Sequence, residues 1–448
     1  MFGQITINWT KAFFFVLFFF ILQPYVGISI FPSDIQPFAL IITACFLLLN
    51  PNEFKNLPIA SILLFIILAM AIVSIILNFL NLYPAQKDII LLIRAFWGYM
   101  TPFIIFLGCY KAFSLGGLKM VNTAIGFIIG LIYFGFLLNL LGATEIIQFF
   151  VNRGIYEGAD NIVADSARGL TSFFPEQSRI SEQCGLLLVT LFILNSLDTK
   201  KFLLLLIATL LSAAGQMFVI FGELVIAFVF AMLLHVIFRK KFFEILLALI
   251  LIFFIFILIF FIFKYPESVI SYIDILVDFG VPSRGIEAVK ILLLYGTYGF
   301  AEDSGLIVKL SGVIASIASL ASQPINFELG STFNNEGLKY TIGEMHFYIE
   351  NLIFGNTEMV FFDFVYSAFG TVIIDFGILG AFIVFCFYIL IFFQVNIANK
   401  SAERFSLNFG LIFLLFMSFI KIPLANPTLW FLAALIVFKA SRKDVTEN

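Results

Sequence analysis

Charge is scarce in this chain. Asp, Glu, Lys and Arg make up 12% of its 448 residues, about half the share of a soluble protein. Hydrophobic residues make up 62%. That balance excludes a soluble globular domain and implies a polytopic membrane protein. Net charge is −3, which argues against nucleic acid as a partner. Only two histidines occur, His235 and His346, in different loops or spans, which argues against a His-rich metal site. The four cysteines (Cys45, Cys109, Cys184 and Cys386) form no CxxC pair and fall in or beside apolar runs. They give no redox or zinc signal. The chain has no Gly-rich phosphate loop and no HExxH.

What is abundant is apolar sequence in runs, with 62 Phe as filler. A membrane helix needs about 20 such residues. The runs predict an all-α fold with twelve spans: 12–31, 35–50, 59–82, 89–110, 120–142, 179–197, 202–214, 216–238, 243–264, 371–394, 406–422 and 426–440. The second, seventh and last are short. The first follows Lys11 and lacks a small-x-small cleavage pattern, so it reads as a retained span. Between the seventh and eighth lies Ser212-Ala-Ala-Gly215-Gln216, a small polar hinge. The pair reads as two spans, one broken helix or a re-entrant element.

Lys and Arg fix the expected orientation. With the N-terminus inside, fourteen cations fall on the cytoplasmic side. The short outer connections then hold only Lys87 and Lys421, with Lys264 at a span edge. Both termini are expected in the cytoplasm. Residues 1–448 form one membrane domain with two extracytoplasmic loops, 143–178 and 265–363. Apolar periodicity at 283–295 and 305–321 predicts amphipathic helices lying on the membrane in the second loop.

The first loop and the helix after it carry the densest chemistry. Arg153, Arg168 and Arg179 are its only cations, and lysine is missing there although it dominates the other face. A guanidinium grips phosphate oxygens in pairs, whereas an ammonium is a point charge. Arginine alone therefore suits a pyrophosphate head group, against the plain reading of solvated charges paired with Glu157, Asp160 or Asp165. Glu176 follows Pro175. It is a candidate base or a holder of a neighbouring Arg. Alternatively it charges the first turn of a helix capped by Ser178. A Gln substitution is expected to matter more at Glu176 than at Glu182.

The second loop sets Arg284, Lys290, Lys309 and Lys339 against twelve acids. It suits sugar hydroxyls, with Arg284 as the exception that reaches a phosphate or else pairs with Glu287 on its own helix. Inside the spans, Arg94, Glu223 and Asp375 are the notable charges. Each costs about 2.5–3.5 kcal/mol at mid-membrane on insertion scales. Each either lines a wet cavity or sits in a buried pair, and Arg94 is near enough to its span end to snorkel.

Three segments together resemble the Wzy-type polymerases of O-antigen and capsular polysaccharide, a family related to the O-antigen ligases. Arg168-Gly169, followed by Phe174-Pro175-Glu176-Gln177-Ser178, resembles the R-G…E-P-S segment before a family helix, with Gln177 where Pro is commoner. Ser212-Ala-Ala-Gly215-Gln216 resembles the Ser/Gly break after the next span. Ile374-Asp375-Phe-Gly377-Ile-Leu-Gly380 resembles the E-x-G-I-I-G opening of a late helix. Ligases commonly carry His-Asn about eleven residues before that late Gly; Tyr366 and Ser367 stand here instead.

The resemblance implies a metal-independent glycosyltransferase of the bacterial inner membrane that uses no cofactor and no nucleotide sugar. Donor and acceptor would be undecaprenyl-pyrophosphate-linked oligosaccharides, with membrane lipids and a chain-length regulator protein as further partners. Arg168 and Arg284 would clamp the pyrophosphate. Glu176 would act as base or Arg holder. Arg153, Arg179, Ser178, Arg94 and Glu223 would assist binding. An O-antigen ligase is the alternative within the class, and a flippase for lipid-linked oligosaccharides is the rival outside it.

Overall fold

A computed structural model describes residues 9–27, 35–50, 57–80, 89–151, 170, 172–175, 177–212, 214–239, 320, 367–398, 401–420 and 422–441. Twelve helices lie among the described residues and no strand does. They are α1 (Trp9–Leu22), α2 (Phe38–Leu49), α3 (Ile59–Phe79), α4 (Ile89–Ser114), α5 (Leu118–Leu140) and α6 (Thr144–Phe150). Then come α7 (Gln177–Ile193), α8 (Thr199–Ser212), α9 (Ala214–Arg239), α10 (Ala368–Ala398), α11 (Ser401–Ile420) and α12 (Pro427–Ser441). Among the described residues, five segments are long and apolar enough to cross a membrane: Ile59–Phe79, Leu92–Ser114, Leu118–Leu140, Ala368–Asn396 and Glu403–Ile420. Four shorter apolar helices accompany them. In hydrocarbon a helix satisfies every backbone group within itself, which is why apolar runs settle into this form. The expected span at 243–264 and the loop 265–363, apart from Leu320, lie outside the described residues.

The helix ends follow local chemistry. Pro58 precedes α3 and Pro427 opens α12, where a missing N–H costs nothing. Ser367 caps α10, its Oγ accepting the Gly370 N–H at 2.8 Å. Asp198 accepts the Lys201 N–H at 2.7 Å. That bond, reinforced by the Lys201 charge, holds its carboxyl below the usual carboxylate range.

One expectation needs correcting here. The first span was expected to run through 31, but α1 stops at Leu22. Pro24 cannot continue a helix, and the chain turns back so that Gln36 N–H donates to the Pro24 carbonyl at 2.8 Å. The last helix, α12, is short, as expected, and sits as a central post of the bundle. Every residue from Pro427 to Phe438 is buried, as expected of a helix apolar all round. It packs against α4, α1, α10, α11 and α7.

Side-chain pairs show which helix ends meet. At one end, Thr428 Oγ1 donates to the Ile21 carbonyl at 2.8 Å and Ser367 Oγ to the Ser418 carbonyl at 3.2 Å. So α1 and α11 finish where α10 and α12 begin. At the other end, Lys439 meets Glu403 at 3.3 Å. Asn396 and Asn408 exchange amide hydrogen bonds at 3.1 and 2.9 Å, and Lys201 Nζ donates to Asn122 Oδ1 at 2.9 Å. The first end carries the candidate site.

Candidate functional site

Residues 172–175 were expected in a loop at the membrane surface. They are buried instead, from Ser172 to Pro175. Ser172 takes a positive φ of 49°, an uncommon conformation for a residue with a Cβ. Its Oγ donates to the Ile132 carbonyl at 2.8 Å. The Phe173 carbonyl accepts from Gln23 Nε2 at 3.0 Å, and the Phe174 ring meets Tyr25 with centroids 5.4 Å apart. Just before it, Leu170 N–H donates to the Leu211 carbonyl at 3.0 Å. The segment is thus a plug between α1, α5 and α8.

Gly135 on α5 makes the plug fit. A Cβ there would run into the Ser172 side chain and backbone. Overpacking of this kind costs about 1–3 kcal/mol. Gly135→Ala is therefore expected to lower the thermal midpoint in detergent and to push the 172–175 segment out. Increased protease cleavage near 170–176 checks the second effect; an unchanged midpoint and digestion pattern would remove the plug's dependence on Gly135.

From the plug the chain passes into α7. Ser178, expected as the cap, lies inside the first turn because α7 begins at Gln177. Arg179 and Glu182 face each other one turn apart, Nη1 to Oε2 3.0 Å. They are 7% and 4% exposed, so this is a buried ion pair. The next residue fixes the rotation of the helix. Gln183 Nε2 donates to the Leu22 carbonyl and lies 3.4 Å from Thr428 Oγ1. Thr428 is itself held by its bond to Ile21 and by Asn426 Oδ1, which accepts its N–H at 2.9 Å. Asn426 Nδ2 reaches the Tyr25 hydroxyl at 3.4 Å. Plug, α1, α7 and α12 thereby share one polar network inside an apolar bundle.

A second buried polar contact joins α4 to α10. The Tyr99 hydroxyl donates to Asp375 Oδ2, and Asp375 is 0% exposed. Two residues on, Gly377 breaks the helix with φ 56° and ψ −136°. A Cβ at Gly380 would press on the Val372 carbonyl. Both glycines of the Ile374–Gly380 segment therefore have a backbone reason to be glycine.

The other site residues divide as follows. Arg94 lies in the second turn of α4, on its exposed side. Glu223 is buried on α9, the helix that packs most extensively on α11. Arg153, Arg168, Glu176, Arg284 and His346 lie outside the described residues, as does the Ser178 side chain. Glu182 was undervalued from sequence, although its spacing of three from Arg179 on a helix was a usable signal. Gln183 and Tyr99 had no such signal, since their partners are distant in the chain.

No family model, no curated protein and no solved structure matches this chain.

Proposed function

We propose that the chain is a polysaccharide polymerase. It joins undecaprenyl-pyrophosphate-linked repeat units at the outer face of the bacterial inner membrane. The observation that carries this reading is a buried guanidinium, Arg179, held by Glu182 at the start of α7. It follows directly on a wedged segment whose flanks bear the Arg168 and Glu176 pattern. The proposed topology has twelve spans and both termini in the cytoplasm, which turns the plug end outward.

In the proposed reaction an acceptor sugar hydroxyl attacks the anomeric carbon of the donor chain. The bond from that carbon to the pyrophosphate oxygen breaks, and the electron pair leaves with the lipid pyrophosphate. Glu176 takes the hydroxyl proton, or else orients an Arg while the departing phosphate takes it. Arg168 and Arg284 stabilise the charge on the leaving group, and fixed donors of this kind need no reorganisation as charge develops. Arg153 and Ser178 assist.

The test is a purified protein in lipid discs, supplied with lipid-linked repeat units. A ladder of products is expected, and EDTA is expected to leave it intact. Absence of a ladder would sink the polymerase reading, and EDTA inhibition would overturn its metal-free form. In cells, a deletion strain should keep a single capped repeat unit. Loss of that unit too would point to a flippase.

A further inference from the structure

We propose that α6 is an interfacial helix whose outer apolar side lies in the bilayer, at the boundary between lipid head groups and acyl chains. The proposal goes beyond the polymerase reading and does not depend on it. It needs only that the helical bundle is embedded in a membrane.

The place of α6 is fixed by how α5 ends. Gly142 takes a φ of 73°. Its N–H donates to the Asn139 carbonyl at 3.1 Å, and the Ala143 N–H donates to the Leu138 carbonyl at 2.9 Å. Paired bonds around a left-handed glycine stop a helix and turn the chain at once. Thr144 then opens α6, so α6 starts where the apolar segment Leu118–Leu140 ends. It does not project away from there. The Phe150 carbonyl accepts the Gly27 N–H at 2.9 Å, and the Phe150 ring meets Phe173 of the plug with centroids 6.1 Å apart. The helix is held against the plug end of the bundle.

The sides of α6 divide by chemistry, since residues three or four apart share a side. Ile147, with Val151 four on, faces inward and is buried in a cluster with Leu138 and Phe173. Ile146 and Phe149 share an outer side, where Phe149 is 64% exposed. Glu145 and Gln148 share the remaining side and are also exposed. One side thus meets protein, one is apolar and open, and one is polar. In water the second side would stay unburied, and a cluster of exposed apolar residues marks an interaction surface. A helix lying at a membrane surface uses all three sides. The occupant is named by continuity. On α5, Phe134, Leu137, Leu140 and Leu141 point outward, at the spacing of a single stripe, on a segment apolar enough to cross a membrane. Lipid is the solvent for that stripe. After a turn of two residues, α6 carries the apolar surface on from its end.

Tryptophan placed on α6 reads the surroundings. The chain has three tryptophans, so wild-type emission is subtracted. The protein is reconstituted in phosphatidylcholine vesicles, with iodide available on both sides. Emission added by Phe149→Trp should be blue-shifted, resist iodide, and lose most of its intensity when the acyl chains carry bromine. Gln148→Trp, one residue away, should emit to the red, be quenched by iodide and be spared by bromine. Leu137→Trp on α5 sets the signal of a lipid-facing site. Ile146→Trp reads the same side as Phe149→Trp and replaces it if that variant does not fold. Iodide quenching at 149 or 146 would put this side in water and overturn the proposal. Emission there that neither quencher reaches would mean that another segment or a second copy covers the side, which overturns it too. Bromine quenching at 148 as strong as at 149 would immerse the whole helix and overturn its interfacial placement.

Discussion

Arg168→Ala and Arg284→Ala are each expected to abolish long polysaccharide while leaving the amount of protein in the membrane unchanged. In the proposed reaction the leaving group carries two phosphates beside a hydrocarbon phase, where its charge is poorly solvated. Removing one preorganised donor from such a site costs about 10²–10³ in rate. A polymer needs many successive transfers, so that loss removes the long products altogether. Both positions fall in the expected extracytoplasmic loops, where truncating a charge is ordinarily within about 0.5 kcal/mol of neutral. Lysine at either position should restore short ladders only, because it supplies charge without the fork. Glycan gels beside an immunoblot of the protein decide the matter. Normal ladders from either alanine variant would refute a clamp at that residue.

How much of this was readable in advance differs by element. The bodies of α3, α5 and α10 follow from apolar runs flanked by Pro58, Gly117 and Ser367. Their signals are local, so the expected bounds fall within a few residues of those found. The plug was misread because its determinant is not local. Ser172-Phe-Phe-Pro175 looks like a surface turn, and only the missing side chain of Gly135 lets it enter the bundle. The position of α12 was equally hidden. Its composition marks an apolar helix, but its place at the centre depends on five other helices. Within the site, Arg179 is a candidate on its chemistry, and the structure places it in a buried ion pair. Arg179 faces Glu182 three residues on, a spacing readable on a helix, while Glu176 lies outside the described residues. Asp375 stood out as a charge in a span, yet its donor Tyr99 lies 276 residues earlier, beyond any periodicity.

That last contact sets the largest expected effect on folding. Tyr99→Phe strips a hydroxyl donor from a fully buried carboxyl. Losing one hydrogen bond to a buried, charged acid costs about 1.5–3 kcal/mol. Asp375→Leu instead removes the acid and leaves the Tyr99 hydroxyl to find a new acceptor, at about 1–3 kcal/mol. Asp375→Asn keeps an acceptor for that hydroxyl and should cost least. The double change Tyr99→Phe with Asp375→Leu removes both polar groups and should recover much of the Tyr99→Phe loss. The contact matters beyond its own energy because it lies two residues before the break at Gly377. The first turns of α10 lack a continuous helix behind them. They are held by Asp375 against α4 and by Ser367 against the end of α11. Thermal midpoints of the four variants in one detergent give the order directly. If Asp375→Asn proves as damaging as Tyr99→Phe, the negative charge rather than the hydrogen bond is what this site requires.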